Sequence, residues 1–152
     1  GNDMEEEARL AFEEETGNIV FPQVCVHPDY HWMGASLDGL TIEKDVAVEI
    51  KCPGRKSALE THTSKKVPSY YIPQLQHQMA VTGLNEIYYY SYFPEENLTT
   101  CLIVFRDQEY IDNMIKKEFE FYEILTDAIE ILERHNIVMD KLKDNIYKIL
   151  EA

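Results

Sequence analysis

Cations are scarce in this chain. Fourteen Lys and Arg stand against 28 Asp and Glu, a formal net charge of −14. That balance excludes a protein that grips nucleic acid over its whole surface, so any phosphate contact has to be local. Long apolar runs are missing too: no stretch of 18 residues could span a bilayer. The first residues are acidic and lack the basic and apolar regions of a signal peptide, which points to the cytoplasm. Cysteine is limited to Cys25, Cys52 and Cys101. An odd, scattered set reads as reduced thiols, not a disulfide framework, and its spacing argues against an iron–sulfur cluster. Without secretion, the sequon Asn97-Leu98-Thr99 carries no meaning. Repeats and internal linkers are absent as well.

What is present fits one globular domain over residues 1–152, 45% hydrophobic and large enough for a sizeable core. Helical spacing and stop signals predict a helix over 3–16, with Met4, Ala8, Leu10, Ala11 and Phe12 as apolar contacts and Gly17 as its end. Strands are expected at 19–26, 31–34, 39–43 and 46–51. Residues 54–69, rich in Ser, Thr, Lys and Pro, read as an irregular, mobile segment. A helix over 70–83 tolerates Pro73 in its first turn and ends at Gly83. Residues 86–93 and 98–106 form a β-hairpin around 94–97. A long helix spans 107–134, and a last amphipathic one about 138–150. The class is α/β: a central mixed sheet flanked by helices, with a long C-terminal helix.

Two blocks carry chemistry. Gly34-Ala35-Ser36-Leu37-Asp38-Gly39-Leu40 places an acid at the entry to a strand among small residues. Val46-Ala47-Val48-Glu49-Ile50-Lys51-Cys52-Pro53 follows. On a strand, alternate side chains share a face. Val46, Val48 and Ile50 therefore turn to the core, and Ala47, Glu49 and Lys51 to the other side. Glu-x-Lys alone also describes a strand with one solvated face, and Asp38-Gly39 alone also describes a turn. An antiparallel pairing of 39–43 with 46–51 would bring Asp38 beside Glu49 and Lys51. Mg²⁺ takes oxygen ligands and usually one or two carboxylates, so Asp38, Glu49 and a carbonyl such as that of Ile50 would suffice. Paired carboxylates without metal would suit glycoside hydrolysis, but that leaves Lys51 unexplained. Between Lys51 and Tyr70 there are five cations and one acid, whereas residues 1–18 hold seven acids and one Arg. This basic stretch after Lys51 is the place for phosphate contacts, or an ordinary solvated surface. Cys25, His27 and His31 lack a clear fourth zinc ligand. The run Tyr88-Tyr89-Tyr90 with Tyr92 reads as a strand packed between helices, with base stacking as the other use.

These blocks, followed by Tyr71-Ile72-Pro73-Gln74-Leu75-Gln76-His77-Gln78-Met79, resemble the phage lambda exonuclease family. It is also called the YqaJ-like viral recombinase family, within the PD-(D/E)xK nucleases. The stretch GNDMEEEARLAF resembles that family's first core helix, and the likeness covers about residues 1–106. Leu37 stands where the superfamily's name has proline, which is not a metal ligand. The resemblance implies a restriction-endonuclease-like core and Mg²⁺-dependent phosphodiester hydrolysis, with Mn²⁺ able to substitute. It makes Asp38 and Glu49 the main metal ligands, with the Ile50 carbonyl, and Glu5 an additional carboxylate. Lys51 would hold or activate the attacking water and stabilise charge on phosphorus. Gln74 would orient Lys51 or that water, with Gln76 second to it. Ser36 would contact a phosphate oxygen, and Arg55, Lys56, Lys65 and Lys66 would bind DNA. By the same resemblance the activity is that of a 5′→3′ exonuclease on double-stranded DNA ends, in a bacterial or phage-infected cell. Its partners would be a single-strand annealing protein and copies of itself in a trimer. Further N-terminal helices would precede the first motif. The alternatives are an endonuclease or repair nuclease on this core, or a non-catalytic DNA-binding or assembly module.

Overall fold

The computed structural model describes residues 2–134 and 139–151. Gly1–Ile111 and Asp112–Ala152 form two compact units. The sheet, its covering helices and every candidate site residue lie in the first.

The first unit opens with α1 (Asn2–Thr16), which Gly17 ends at φ 76°. The strands are β1 (Phe21–Val26), β2 (Gly34–Leu40), β3 (Ala47–Lys51), β4 (Glu86–Ser91) and β5 (Thr100–Phe105). They lie side by side in chain order. Only β3 and β4 pair in parallel; the other neighbours are antiparallel. A parallel pair requires a long crossover. Here it contains α2 (Arg55–Ser64), a 3₁₀ turn at Ser69–Tyr71 and α3 (Ile72–Thr82). The sheet is therefore mixed and flanked by helices, as the sequence indicated.

The core on one side joins Ala8 and Phe12 of α1 to Val20, Val48, Ile50, Tyr90 and Tyr92. Phe12 meets the Tyr88 and Tyr90 rings edge-on at 5.3 and 5.5 Å. The acids of α1 have work to do in this packing. Tyr92 and Tyr90 donate their hydroxyls to Glu7 and Glu15 at 2.8 and 3.0 Å, and Glu13 accepts the Val20 N–H at 3.0 Å. The tyrosine run is thus a packed strand. Met4 and Leu10 stay exposed, contrary to expectation: Ala8 and Phe12 one turn apart fix a buried face that leaves Leu10 outside, and Met4 lies a turn ahead of Ala8 at the start of the helix.

Three expectations require correction. Strand β2 begins at Gly34, so Asp38 sits inside a strand and not at its entry, and the chain turns between 41 and 46. The predicted separate strand at 31–34 is absorbed into the turn between β1 and β2 and the start of β2. Residues 55–64, expected to be irregular, form α2 on a narrow buried face of Ala58 and Thr61. Its Ser- and Thr-rich composition concealed two anchors one helical turn apart. The mobile-segment reading of 54–69 falls with it.

The hairpin of β4 and β5 closes through a 3₁₀ turn at Glu95–Asn97. Helix α4 (Gln108–Arg134) begins in the first unit, where Ile111 is buried. The second unit comprises the rest of α4 and α5 (Met139–Glu151), and position 138 of the expected last helix lies outside the described residues. Both helices are amphipathic, with Phe121, Ile124, Ile149 and Leu150 exposed. Among the described residues no helix is long and apolar enough to cross a membrane.

Gly39 permits the close approach of β2 to its neighbours. A Cβ there would lie 2.6 Å from Val20 Cγ2 and 2.8 Å from Val48 Cγ1. Gly39→Ala should therefore destabilise the fold by about 1–3 kcal/mol, the usual cost of overpacking. Urea denaturation checks this: the midpoint should fall at unchanged slope, and an unchanged midpoint would contradict the packing described.

Candidate active site

Strand β3 is buried along most of its length. Its central place in the sheet, between α1 on one face and α3 on the other, removes the solvated face that Glu-x-Lys alone allowed. Val48 and Ile50 turn to the α1 side, and Glu49 to the α3 side, where it is 3% exposed. A buried carboxylate is costly unless it is paired and hydrogen-bonded. Glu49 is both. Its Oε1 accepts from Lys51 Nζ at 2.9 Å and from Gln74 Nε2 at 3.0 Å. Its Oε2 accepts from Gln78 Nε2 at 2.7 Å.

Asp38 arrives from β2. The register pairs Gly39 with Val48, and just beyond that pair the Ile50 N–H donates to Asp38 Oδ2 at 2.8 Å. A side chain thus takes a strand amide, and Asp38 is fixed against Glu49. Burial pushes the Asp38 carboxyl up to about 6 from an ordinary 3.8. The Ile50 N–H opposes that rise, and the nearby charges of Glu49 and Glu5 add to it. Glu5, on α1, is half-buried and lies 3.5 Å from Arg9, whose Nε also donates to the Asp38 carbonyl at 3.2 Å.

Burial pulls the Lys51 ammonium down, but its hydrogen bond and charge pairing with Glu49 outweigh this, and its pKa is raised. Lys51 Nζ also stands 4.6 Å over the centre of the Tyr71 ring. A carboxylate on one side and an aromatic face on the other therefore hold the cation.

The structure brings Asp38, Glu49, Lys51 and Gln74 together, with Glu5 close enough to bias Asp38. Ile50 meets Asp38 through its N–H. Gln74 contacts Glu49 and not Lys51. Gln76 points elsewhere, donating to the Phe105 carbonyl and accepting the Asp107 N–H. Ser36 lies exposed on β2, and its carbonyl accepts from Gln78 at 3.0 Å. Arg55 and Lys56 open α2, and Lys65 and Lys66 follow its end. Their contacts run away from the carboxylates: Arg55 forms a two-pronged pair with Glu96 at 2.6 and 2.9 Å, and Lys65 Nζ lies 3.4 Å from His62. His27 accepts the Asp29 and Tyr30 N–H groups with its Nδ1 and so braces a turn.

The reading of the sequence missed Gln78. The signal was available: Gln74 and Gln78 are four apart on a helix and share a face. Its amide orientation is dictated by its neighbours. Nε2 serves two acceptors, Glu49 and the Ser36 carbonyl, while its Oε1 is buried without a partner.

Among the described residues no group of three or more His, Cys, Asp and Glu side chains is arranged to hold a metal ion. Two crowded carboxylates are present instead, and the raised Asp38 shows the repulsion and burial that a cation would relieve. This oxygen set fits Mg²⁺ better than zinc, which favours nitrogen and sulfur.

The profile of the YqaJ-like viral recombinase domain matches residues 1–85. The uncharacterized protein YqaJ of Bacillus subtilis (strain 168) is 26% identical over 125 residues, covering 80% of this chain. The chain spans only 39% of that relative's length. Among solved structures, the alkaline exonuclease LHK-Exo of Laribacter hongkongensis is 34% identical with a TM-score of 0.79. The match covers 90% of this chain and 72% of that one. LHK-Exo in complex with dAMP matches at 33% identity and the same TM-score, over 90% of this chain and 71% of that one.

Two outcomes follow from this geometry. Gln78→Leu, of similar volume, leaves a Glu49 oxygen short of its donor. It should cost about 1–3 kcal/mol in chemical denaturation, and wild-type stability would remove Gln78 from the support of Glu49. The second concerns pH. A folded Asp38 titrating near 6, against about 3.9 unfolded, contributes stability that is complete below pH 4 and lost as pH rises to 6. Relative to Asp38→Asn, the metal-free protein should therefore lose melting temperature across pH 4–6. A flat difference would show Asp38 to be unperturbed.

Proposed function

Because the chain belongs to the YqaJ-like viral recombinase domain family, we propose that it is a Mg²⁺-dependent deoxyribonuclease, acting as a 5′→3′ exonuclease on double-stranded DNA ends in phage-type recombination. One observation carries the reading: Asp38 and Glu49 meet across adjacent strands while Lys51 pairs with Glu49 from the same strand face. The likeness to an alkaline exonuclease supports it, and that relative's complex with dAMP, a nucleoside monophosphate, agrees with stepwise release of nucleotides.

Asp38, Glu49 and the Ile50 carbonyl would hold the divalent ion, Mg²⁺ or Mn²⁺, with Glu5 as the further carboxylate. When bound, such an ion supplies charge to the phosphoryl oxygens and lowers the pKa of a water. The chain's own residues do the rest. Gln74 and Gln78 fix the Glu49 carboxylate from α3. Lys51 remains protonated at neutral pH, so it acts as a compact point charge that holds the attacking water and stabilises the charge growing on phosphorus. Preorganisation by Glu49 and Tyr71 means that little reorganisation accompanies the reaction. Ser36, Lys56 and Lys66 are exposed and free to meet phosphates, and Lys65 and Arg55 would have to leave His62 and Glu96 to join them. Further partners proposed from the family are a single-strand annealing protein and a homotrimeric assembly.

Digestion of end-labelled linear duplex DNA, with closed circular DNA as control and Mg²⁺ present or withheld, tests the proposal. Mononucleotides should appear from the linear form alone, from its 5′ ends and only with Mg²⁺. Nicking of the circle would replace the proposal with an endonuclease, and inertness toward both would leave a binding module. Lys51→Ala should lower cleavage at least 100-fold while duplex binding in Ca²⁺ persists, and undiminished turnover would sink the assigned role.

A further inference from the structure

Tyr70 and Tyr71 lie in the 3₁₀ turn that leads into α3, four and three residues ahead of Gln74. The turn is pinned at its base: Pro68 precedes it, and the Tyr71 N–H donates to the Pro68 carbonyl at 3.0 Å. Tyr71 is half-buried, with Lys51 Nζ over its ring and the buried Tyr89 ring 5.8 Å away. Tyr70 leans on Tyr71 with ring centres 4.5 Å apart and planes tilted by 59°. Yet Tyr70 is 68% exposed, while Tyr89 and Tyr90 of β4 and Tyr92 just after it are 2%, 2% and 7% exposed. Tyr71 already meets the needs of Lys51, so packing around the lysine does not require the Tyr70 ring. An open aromatic face is left in water beside the ring that holds the cation assigned to the scissile phosphate.

We propose that Tyr70, seated on Tyr71, is a stacking platform for the nucleobase of the nucleotide whose phosphate reaches Lys51. The inference rests on the nuclease reading and names what that site grips besides the phosphate. Stacking on a tyrosine is sequence-tolerant because every base has a π-face, and it is worth roughly 5- to 150-fold in binding per base. It also demands that the base leave the duplex stack, which costs least at a frayed or single-stranded terminus. The ligand is thus an unstacked end nucleotide of any sequence, and the packing of Tyr70 on Tyr71 above a hydrogen-bonded turn lowers the ordering cost on binding.

A coupling experiment tests this in Ca²⁺. Binding is measured for wild type and Tyr70→Ala, each with a short duplex bearing a frayed 5′-phosphorylated end, and with the same duplex abasic at its terminal nucleotides. Tyr70→Ala should weaken binding of the intact duplex by roughly 5- to 150-fold. Tyr70→Trp should restore it. The abasic duplex should bind both proteins equally. Equal losses for intact and abasic DNA would overturn the platform, since Tyr70 would then act without a base. Stacking is absent if the intact duplex binds both proteins alike. The nuclease reading is judged separately, by cleavage in Mg²⁺: a wild type that cuts linear DNA but shows no Tyr70–base coupling loses only the platform, and one that binds no DNA loses both.

Discussion

The structure depends on one buried charge. Glu49 lies in the middle of the sheet, and the folded state must give its carboxylate what water would have given. It does so from two directions. Lys51 comes from the same strand, and Gln74 and Gln78 come from the helix packed over it. Removing the charged partner from such an arrangement typically costs several kcal/mol, because it strands a charge in a poor solvent. The polar face of α3 follows from that need. A helix that must reach Glu49 twice cannot be covered with leucine on that face.

Much of this was legible in the sequence, and the parts that were not share a cause. The alternation of Val48, Glu49, Ile50 and Lys51 gave the faces of β3 correctly, since a period of two leaves no freedom. Pro73 and Gly83 bracketed α3 because each has a specific backbone role at a helix end. The same local logic cannot see depth in a sheet. Alternation is the same for a strand with a wet face and for one covered on both sides, so the burial of Glu49 became visible only once α1 and α3 were in place. Helix α2 was missed for a related reason: Ala58 and Thr61 are too slight a pattern to betray a helix held by its neighbours. Asp38 was read as a strand entry because Gly34, Ala35 and Ser36 resemble loop residues. They are strand residues held by pairing with Val26, Cys25 and Val24.

The charge imbalance takes on a different meaning in the folded chain. Several acids of α1 serve as acceptors for buried tyrosines and for the Val20 amide just before β1, so they belong to the packing around the sheet and are not a free acidic surface. Among the cations of the basic stretch after Lys51, Arg55 is tied to Glu96. The pair is well exposed, and such pairs contribute little to stability. Arg55 can therefore exchange Glu96 for a phosphate at small cost, whereas Lys51 cannot leave Glu49 without exposing a buried charge. Cations of the same sign thus divide between a fixed role and an exchangeable one, according to how deeply their partners are buried.

The two carboxylates divide in the same way. Glu49 is saturated with donors, and Asp38 is not: it has one strand amide, two acidic neighbours and a pKa raised to about 6. If both were equally satisfied, the site would be a stable polar core with no demand for anything further. If neither were, the strands would not hold together at this point. An anchored carboxylate beside an uncomfortable one keeps the backbone geometry fixed while leaving unspent attraction for positive charge at one spot. That asymmetry, more than the presence of any single residue, is what supports the proposed cation site over a buried ion pair that merely closes a core.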